Sequence, residues 1–227
     1  MFSGRCDLQE TTGRFCGTLI FRQCTGYNKA RAVNEVIHRM KHKLKIVVNA
    51  PVVIGFTALM FAATIAGILS SGYLSGLLFQ TRHTSLLSPL TYLRFFTHVL
   101  GHTGWSHFMG NASYILLLGP MLEEKYGSRS VVKVILITAL VTGVVNYILF
   151  PGVALCGASG VVFAFIVLTS FTGFRTGEIP LSFILIALIF IGQQLFEGVF
   201  IRDNISQLSH IIGGVVGAVI GFAWNRK

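Results

Sequence analysis

Acidic residues are scarce in this chain: 8 of 227 positions are Asp or Glu, and charged residues of both signs make up only 11%. Ordinary soluble domains carry about 25% charged residues, so a chain this poor in charge, 53% hydrophobic and with a mean hydropathy of +0.71 is excluded from that class and placed in a membrane. Cysteine is equally uninformative for chemistry. Cys6, Cys16 and Cys24 lack metal-ligand spacing and Cys156 stands alone, so no metal and no cofactor is expected. The first 28 residues lack the short apolar core and small-residue cleavage site of a signal peptide and read as a cytoplasmic tail, or as translation from an early start with Met40 as the alternative. The apolar runs also lack the alternating pattern of barrel strands. Helices remain, because an open sheet in lipid leaves backbone groups unpaired.

What is present is a series of apolar runs near the roughly 20 residues needed to span a bilayer. Six spans are expected, at 46–69, 104–122, 130–150, 157–174, 179–199 and 207–224. The fold class is therefore an all-α polytopic membrane protein, a bundle of six transmembrane helices over 46–227 preceded by a basic tail at 1–45. The segment from Ser70 to Thr103 is too apolar for a solvated loop and is expected to lie partly in the membrane interface, with Arg94 and its aromatic neighbours at headgroup depth.

The net charge of +10 is not a nucleic-acid signal, because nine Lys and Arg residues cluster before Ile46, where anionic lipid attracts them and holds the segment in the cytoplasm. With the N-terminus inside, fifteen of the eighteen basic residues fall on the cytoplasmic side and only Arg82, Arg94 and Arg202 outside. Both termini are then cytoplasmic, and a bacterial inner (plasma) membrane is the expected location.

Polar residues inside spans are costly and must find a partner or a purpose. His107 and Asn111 lie four residues apart and share one helix face; taken alone, that pair equally serves interhelical hydrogen bonding at about 0.6–2 kcal/mol per contact. Ser159 sits in Cys156-Gly157-Ala158-Ser159-Gly160, where glycines permit close approach and the first turn of a helix offers free amide donors. Position 161 is Val and no strand precedes it, so this is not the nucleophile elbow of soluble hydrolases, and by itself the motif also suits helix packing. His210 opens a helix in which Gly213, Gly217 and Gly221 recur every four residues. Gly160 and Ala164 of the fourth span form the matching small pair, and that contact would carry His210 to Ser159, within the reach a general base needs. No acidic residue is buried nearby to orient the histidine, since Glu197 lies at an outer edge and Glu123, Glu124 and Glu178 on the cytoplasmic side. The arrangement is a Ser–His dyad rather than a triad.

These residues resemble the rhomboid family of intramembrane serine proteases: His-x-x-x-Asn at His107 to Asn111, Gly-x-Ser-Gly at Gly157 to Gly160, and Ser209-His210-Ile211-Ile212-Gly213-Gly214 occur in order, with Glu123-Glu124-Lys125-Tyr126-Gly127-Ser128 closing the second span. The resemblance covers 46–224 and implies Ser159 as nucleophile, His210 as general base, and Asn111, His107 and the Ser159 amide as oxyanion donors, Gly157 and Gly160 setting the loop geometry. Leu93-Arg94 stands where the family often has Trp-Arg, and Phe163 where a tyrosine is common, so Phe163 can pack on His210 without offering a hydroxyl.

The expected activity is endoproteolysis of single-span membrane proteins near the outer face, with transmembrane substrates and membrane lipid as partners, no nucleic acid, and an oligomeric state the sequence leaves open. The competing readings are a catalytically inactive rhomboid-like protein that binds membrane clients, and a transporter, against which stands the lack of buried carboxylates or of an inverted repeat.

Overall fold

The computed structural model describes residues 47–172, positions 181–182, 184–186, 188–189 and 192, and residues 204–225. Every regular element among them is helical: α1 (Pro51–Leu69), α2 (Tyr73–Leu78), α3 (Pro89–Thr97), α4 (Trp105–Tyr126), α5 (Ser128–Leu149), α6 (Ser159–Ser170) and α7 (Asn204–Trp224). The expected span 179–199 lies largely outside the described residues; the positions of it that are described are helical.

Proline at the start of α1 and of α3 sets the first turn where its missing N–H costs nothing. Both α1 and α5 are long and apolar enough to cross a membrane, with mean hydropathies of 2.3 and 2.1, while α6 and the stretch Leu208–Trp224 are apolar but shorter. The bundle is apolar on both sides of its helices. Met60, Ile115, Leu122, Val134, Val161 and Phe165 are fully buried between them, while Leu59, Leu117, Ile148 and Val219 point outward and stay exposed. A helix that is hydrophobic all round suits hydrocarbon rather than water.

Close helix approach is arranged by glycine. At Gly119 an added Cβ would stand 2.6 Å from Val53 Cγ2, which fixes α4 against α1, and at Gly143 it would stand 2.9 Å from the Phe95 carbonyl oxygen, which fixes α5 against α3. Among the described helices the most extensive contact is between α6 and α7.

The end of α4 runs four residues beyond the expected span, to Tyr126, and Glu123 supplies the reason. Its carboxylate is buried, accepts the Val52 and Val53 amides at 3.0 Å each and accepts the Ser128 hydroxyl at 2.6 Å. It thus caps the first turn of α1 from across the bundle, where the helix dipole favours negative charge. Replacing Glu123 by Gln keeps the shape but removes the charge, and is expected to lower stability by about 1–3 kcal/mol, read as a lower thermal unfolding midpoint in detergent.

The 70–103 segment contains two short helices, α2 and α3, rather than a simple loop. Ser71 (φ 51°) and Gly72 (φ 86°) turn the chain out of α1, and Gly67 leaves room for Ser75, whose Oγ would stand 2.3 Å from an added Cβ. Arg94 is buried and its Nε donates to the Leu77 carbonyl at 2.8 Å, tying α3 to α2.

Candidate active site

The loop 150–158 that delivers the chain into α6 is clamped from several sides. Leu155 and Thr81 exchange both backbone hydrogen bonds at 2.9 Å, and the Gly157 amide donates to the His98 carbonyl at 2.9 Å. The Asn146 side chain donates to the Val153 carbonyl at 3.2 Å. Gly157 adopts φ +122°, and a Cβ there would stand 2.7 Å from His107 Cε1. Glycine is required at this position on both counts: the left-handed backbone and the imidazole against it. Ala158 caps α6 and Ser159 is its first residue, so the amides of the first turn point out of the helix start without intrahelical partners.

On α4, His107 and Asn111 present one face toward this loop, as their spacing implied. Thr103 Oγ1 lies 3.2 Å from His107 Nδ1. The Asn111 amide nitrogen is buried and has no hydrogen-bond partner among the described residues. A buried donor left unspent is unusual, and it borders the cleft that Ser159 opens into.

Opposite, α7 lies backbone to backbone on α6. An added Cβ at Gly213 would stand 2.1 Å from the Gly160 carbonyl oxygen, and one at Gly217 would stand 2.5 Å from that of Ala164. The expected small-residue pairing of Gly160 and Ala164 with the α7 glycines is therefore the observed contact. It carries His210 alongside Phe163, with ring centroids 4.4 Å apart and planes tilted by 38°.

Ser159, His210, His107 and Asn111 all line one cleft of about 430 Å³. Gly157 and Gly160 stand behind it, one under the His107 ring and the other at the α6–α7 contact. The cleft joins a hydroxyl, two imidazoles and an unspent amide donor, a set suited to acyl transfer.

Two histidines in this region escaped the sequence reading. His98 is fully buried, with Nε2 3.0 Å from the Ala139 carbonyl oxygen, and burial pushes its pKa down to about 4, so the ring is neutral and its N–H donates to that carbonyl. Its own carbonyl holds Gly157. His102 packs edge-on against His107 at 5.0 Å and contacts Leu100 O at 3.1 Å and Thr64 Oγ1 at 3.4 Å through Nδ1. Burial, and next the neighbouring His107, lower its pKa to about 4. Three histidines between positions 98 and 107 were the available signal. Ser106 and Tyr114 also line the cleft, at one turn to either side of Gly110 on α4.

A family model described as Rhomboid domain matches residues 89–227. The Rhomboid protease GlpG of Haemophilus influenzae is 28% identical over 133 residues, which is 57% of this chain and 68% of that protein.

Proposed function

This chain belongs to the rhomboid family, and from that premise we propose that it is an intramembrane serine endopeptidase acting through a Ser159–His210 dyad. Membership makes it a membrane protein of a protease family; the residue roles, the substrate and the topology are our reading. The observation that carries it is the gathering of Ser159, His210, His107 and Asn111 around one cleft, with the Asn111 amide donor unspent.

In this mechanism His210 takes the Ser159 hydroxyl proton as Oγ attacks the scissile carbonyl carbon. The negative charge that collects on the carbonyl oxygen is met by donors from Asn111, His107 and the Ser159 amide. When the peptide bond breaks, His210 passes its proton to the departing amine, leaving an acyl ester on Ser159. A water then attacks that ester, with His210 again accepting a proton, and releases the new carboxyl terminus. The Phe163 face packs against the His210 ring and helps to orient it.

The topology that goes with this chemistry has six spans, both termini in the cytoplasm of a bacterial inner membrane, and a basic tail at 1–45 before a protease domain at 46–227. The substrates are single-span membrane proteins cut near the outer face, where their helix unwinds to expose a carbonyl, since a hydrogen-bonded helix hides it.

The testing experiment is cleavage of a fluorescent transmembrane substrate by the purified chain in liposomes. The expected result is a cut close to a helix-breaking residue, slowed when a stable leucine helix replaces the region. An unchanged rate with the leucine helix would remove the unwinding step from the mechanism, and no cleavage of several substrates by folded protein would favour a client-binding role. Within the site, Asn111→Ala should lower kcat by about 10²–10³-fold with little change in KM, since the donor acts on charge that develops only in the transition state.

A further inference from the structure

A second cavity, of about 410 Å³, lies in the 70–103 segment and is lined by Arg82 and Arg94 together with Gly72, Tyr73, Gly76 and Thr84. Its volume falls in the range, about 300–1,000 Å³, of small-ligand sites. Two guanidinium groups face it. Arg94 is only 7% exposed; its Nε is spent on the Leu77 carbonyl, and its two Nη groups have no hydrogen-bond acceptor among the described residues. Arg82 is exposed at the rim, with one Nη donating to the Gly76 carbonyl. The absence of a side chain at Gly76 makes room for that guanidinium, since an added Cβ would stand 3.0 Å from it.

No carboxylate balances this pair among the described residues: the two described acidic side chains, Glu123 and Glu124, stand at the C-terminal end of α4. Burial, and next the Arg82 charge, depress the Arg94 pKa, as expected for like charges held together. A buried cation without a counter-charge is costly, and paired guanidinium forks match the oxygens of a phosphate.

We propose that Arg82 and Arg94 form a phosphate-binding site, taking the phosphodiester of an anionic phospholipid headgroup or a free phosphate ion. The surroundings favour the headgroup. Tyr73 is 70% exposed at the cavity wall, and the end of α1 beside it leaves Leu69 81% exposed, an apolar fringe against which acyl chains lie while an aromatic ring sits at headgroup depth. The site is also connected to the cleft. The Arg94 carbonyl accepts the Thr81 hydroxyl at 2.9 Å, and Thr81 pairs with Leu155, two residues before Gly157. A bound phosphate therefore braces the loop that leads into Ser159.

The test uses the full chain, delipidated in detergent, and reads thermal unfolding and retention of ligand through gel filtration, neither of which depends on proteolysis. Short-chain phosphatidylglycerol should raise the unfolding midpoint and be retained, whereas diacylglycerol of the same chain length should do neither. Arg82→Gln should weaken the apparent affinity roughly tenfold, the size expected for one charge-assisted contact, and Arg82→Lys should weaken it less. Stabilisation by inorganic phosphate at matching concentrations, lost in Arg82→Gln, would assign the site to the free anion. Equal stabilisation of wild type and Arg82→Gln by phosphatidylglycerol, or stabilisation by neither phosphate source, would overturn the proposal.

Discussion

Ser159→Ala is expected to abolish peptide cleavage, with kcat falling by about four to six orders of magnitude, while the unfolding midpoint stays near that of the wild type. The serine opens α6 at the mouth of the cleft, so its hydroxyl contributes little to packing and its loss removes only the nucleophile. His210→Ala should match it in rate. The double variant should be no slower than either single one, because a nucleophile without its base and a base without its nucleophile disable the same step. Cleavage that survives Ser159→Ala would end the dyad assignment. A large fall in the midpoint of His210→Ala alone would separate a packing role against Phe163 from a role in proton transfer.

Gly213→Ala should do comparable damage for a different reason. A methyl group there would sit 2.1 Å from the Gly160 carbonyl oxygen and 2.9 Å from its Cα, against backbone that cannot rotate aside. The helices must separate, and overpacking of this kind costs about 1–3 kcal/mol. Because the same contact sets where His210 stands relative to Ser159, the rate should fall further than the stability loss explains, given that a 1 Å misplacement can cost about 10²-fold. Gly55→Ala is the control, as nothing lies within 4 Å of a Cβ added there. It should leave the rate unchanged and, in a helix interior, gain up to about 1 kcal/mol. Equal activity in Gly213→Ala and Gly55→Ala would mean that the α6–α7 contact does not control the site.

The parts of the fold that could be read from sequence are those set by local pattern. The apolar runs at α1 and α5 are long and apolar enough to cross a membrane, and the four-residue recurrence of Gly213 and Gly217 has one good partner, Gly160 and Ala164, which the structure supplies. His107 and Asn111 were placed on one face by spacing alone. The short helices α2 and α3 were not legible, because distant groups hold them: Arg94 on Leu77, Thr81 on Leu155, Tyr147 on Thr84. His98 and His102 escaped for the same reason. Each is defined by what it touches, Ala139 and Gly157 in one case, Thr64 and His107 in the other, and neither lies in an apolar run that would have flagged it. Glu123 reads in sequence as one more charged residue at a helix end; only the tertiary fold reveals it as the cap of another helix.

That cap has a consequence for the order in which the chain is made. Val52 and Val53 wait for a carboxylate 71 and 70 residues downstream. At about 5–20 residues per second, the ribosome needs roughly 4–14 s to supply it. During that interval the amides at the leading end of α1 must find acceptors in water or lipid headgroups, so α1 is fastened at this end only after the α4–α5 corner has emerged. Early α1 is consequently open to lateral drift, and the arrival of Glu123 is the step that joins its leading end to the later-made α4.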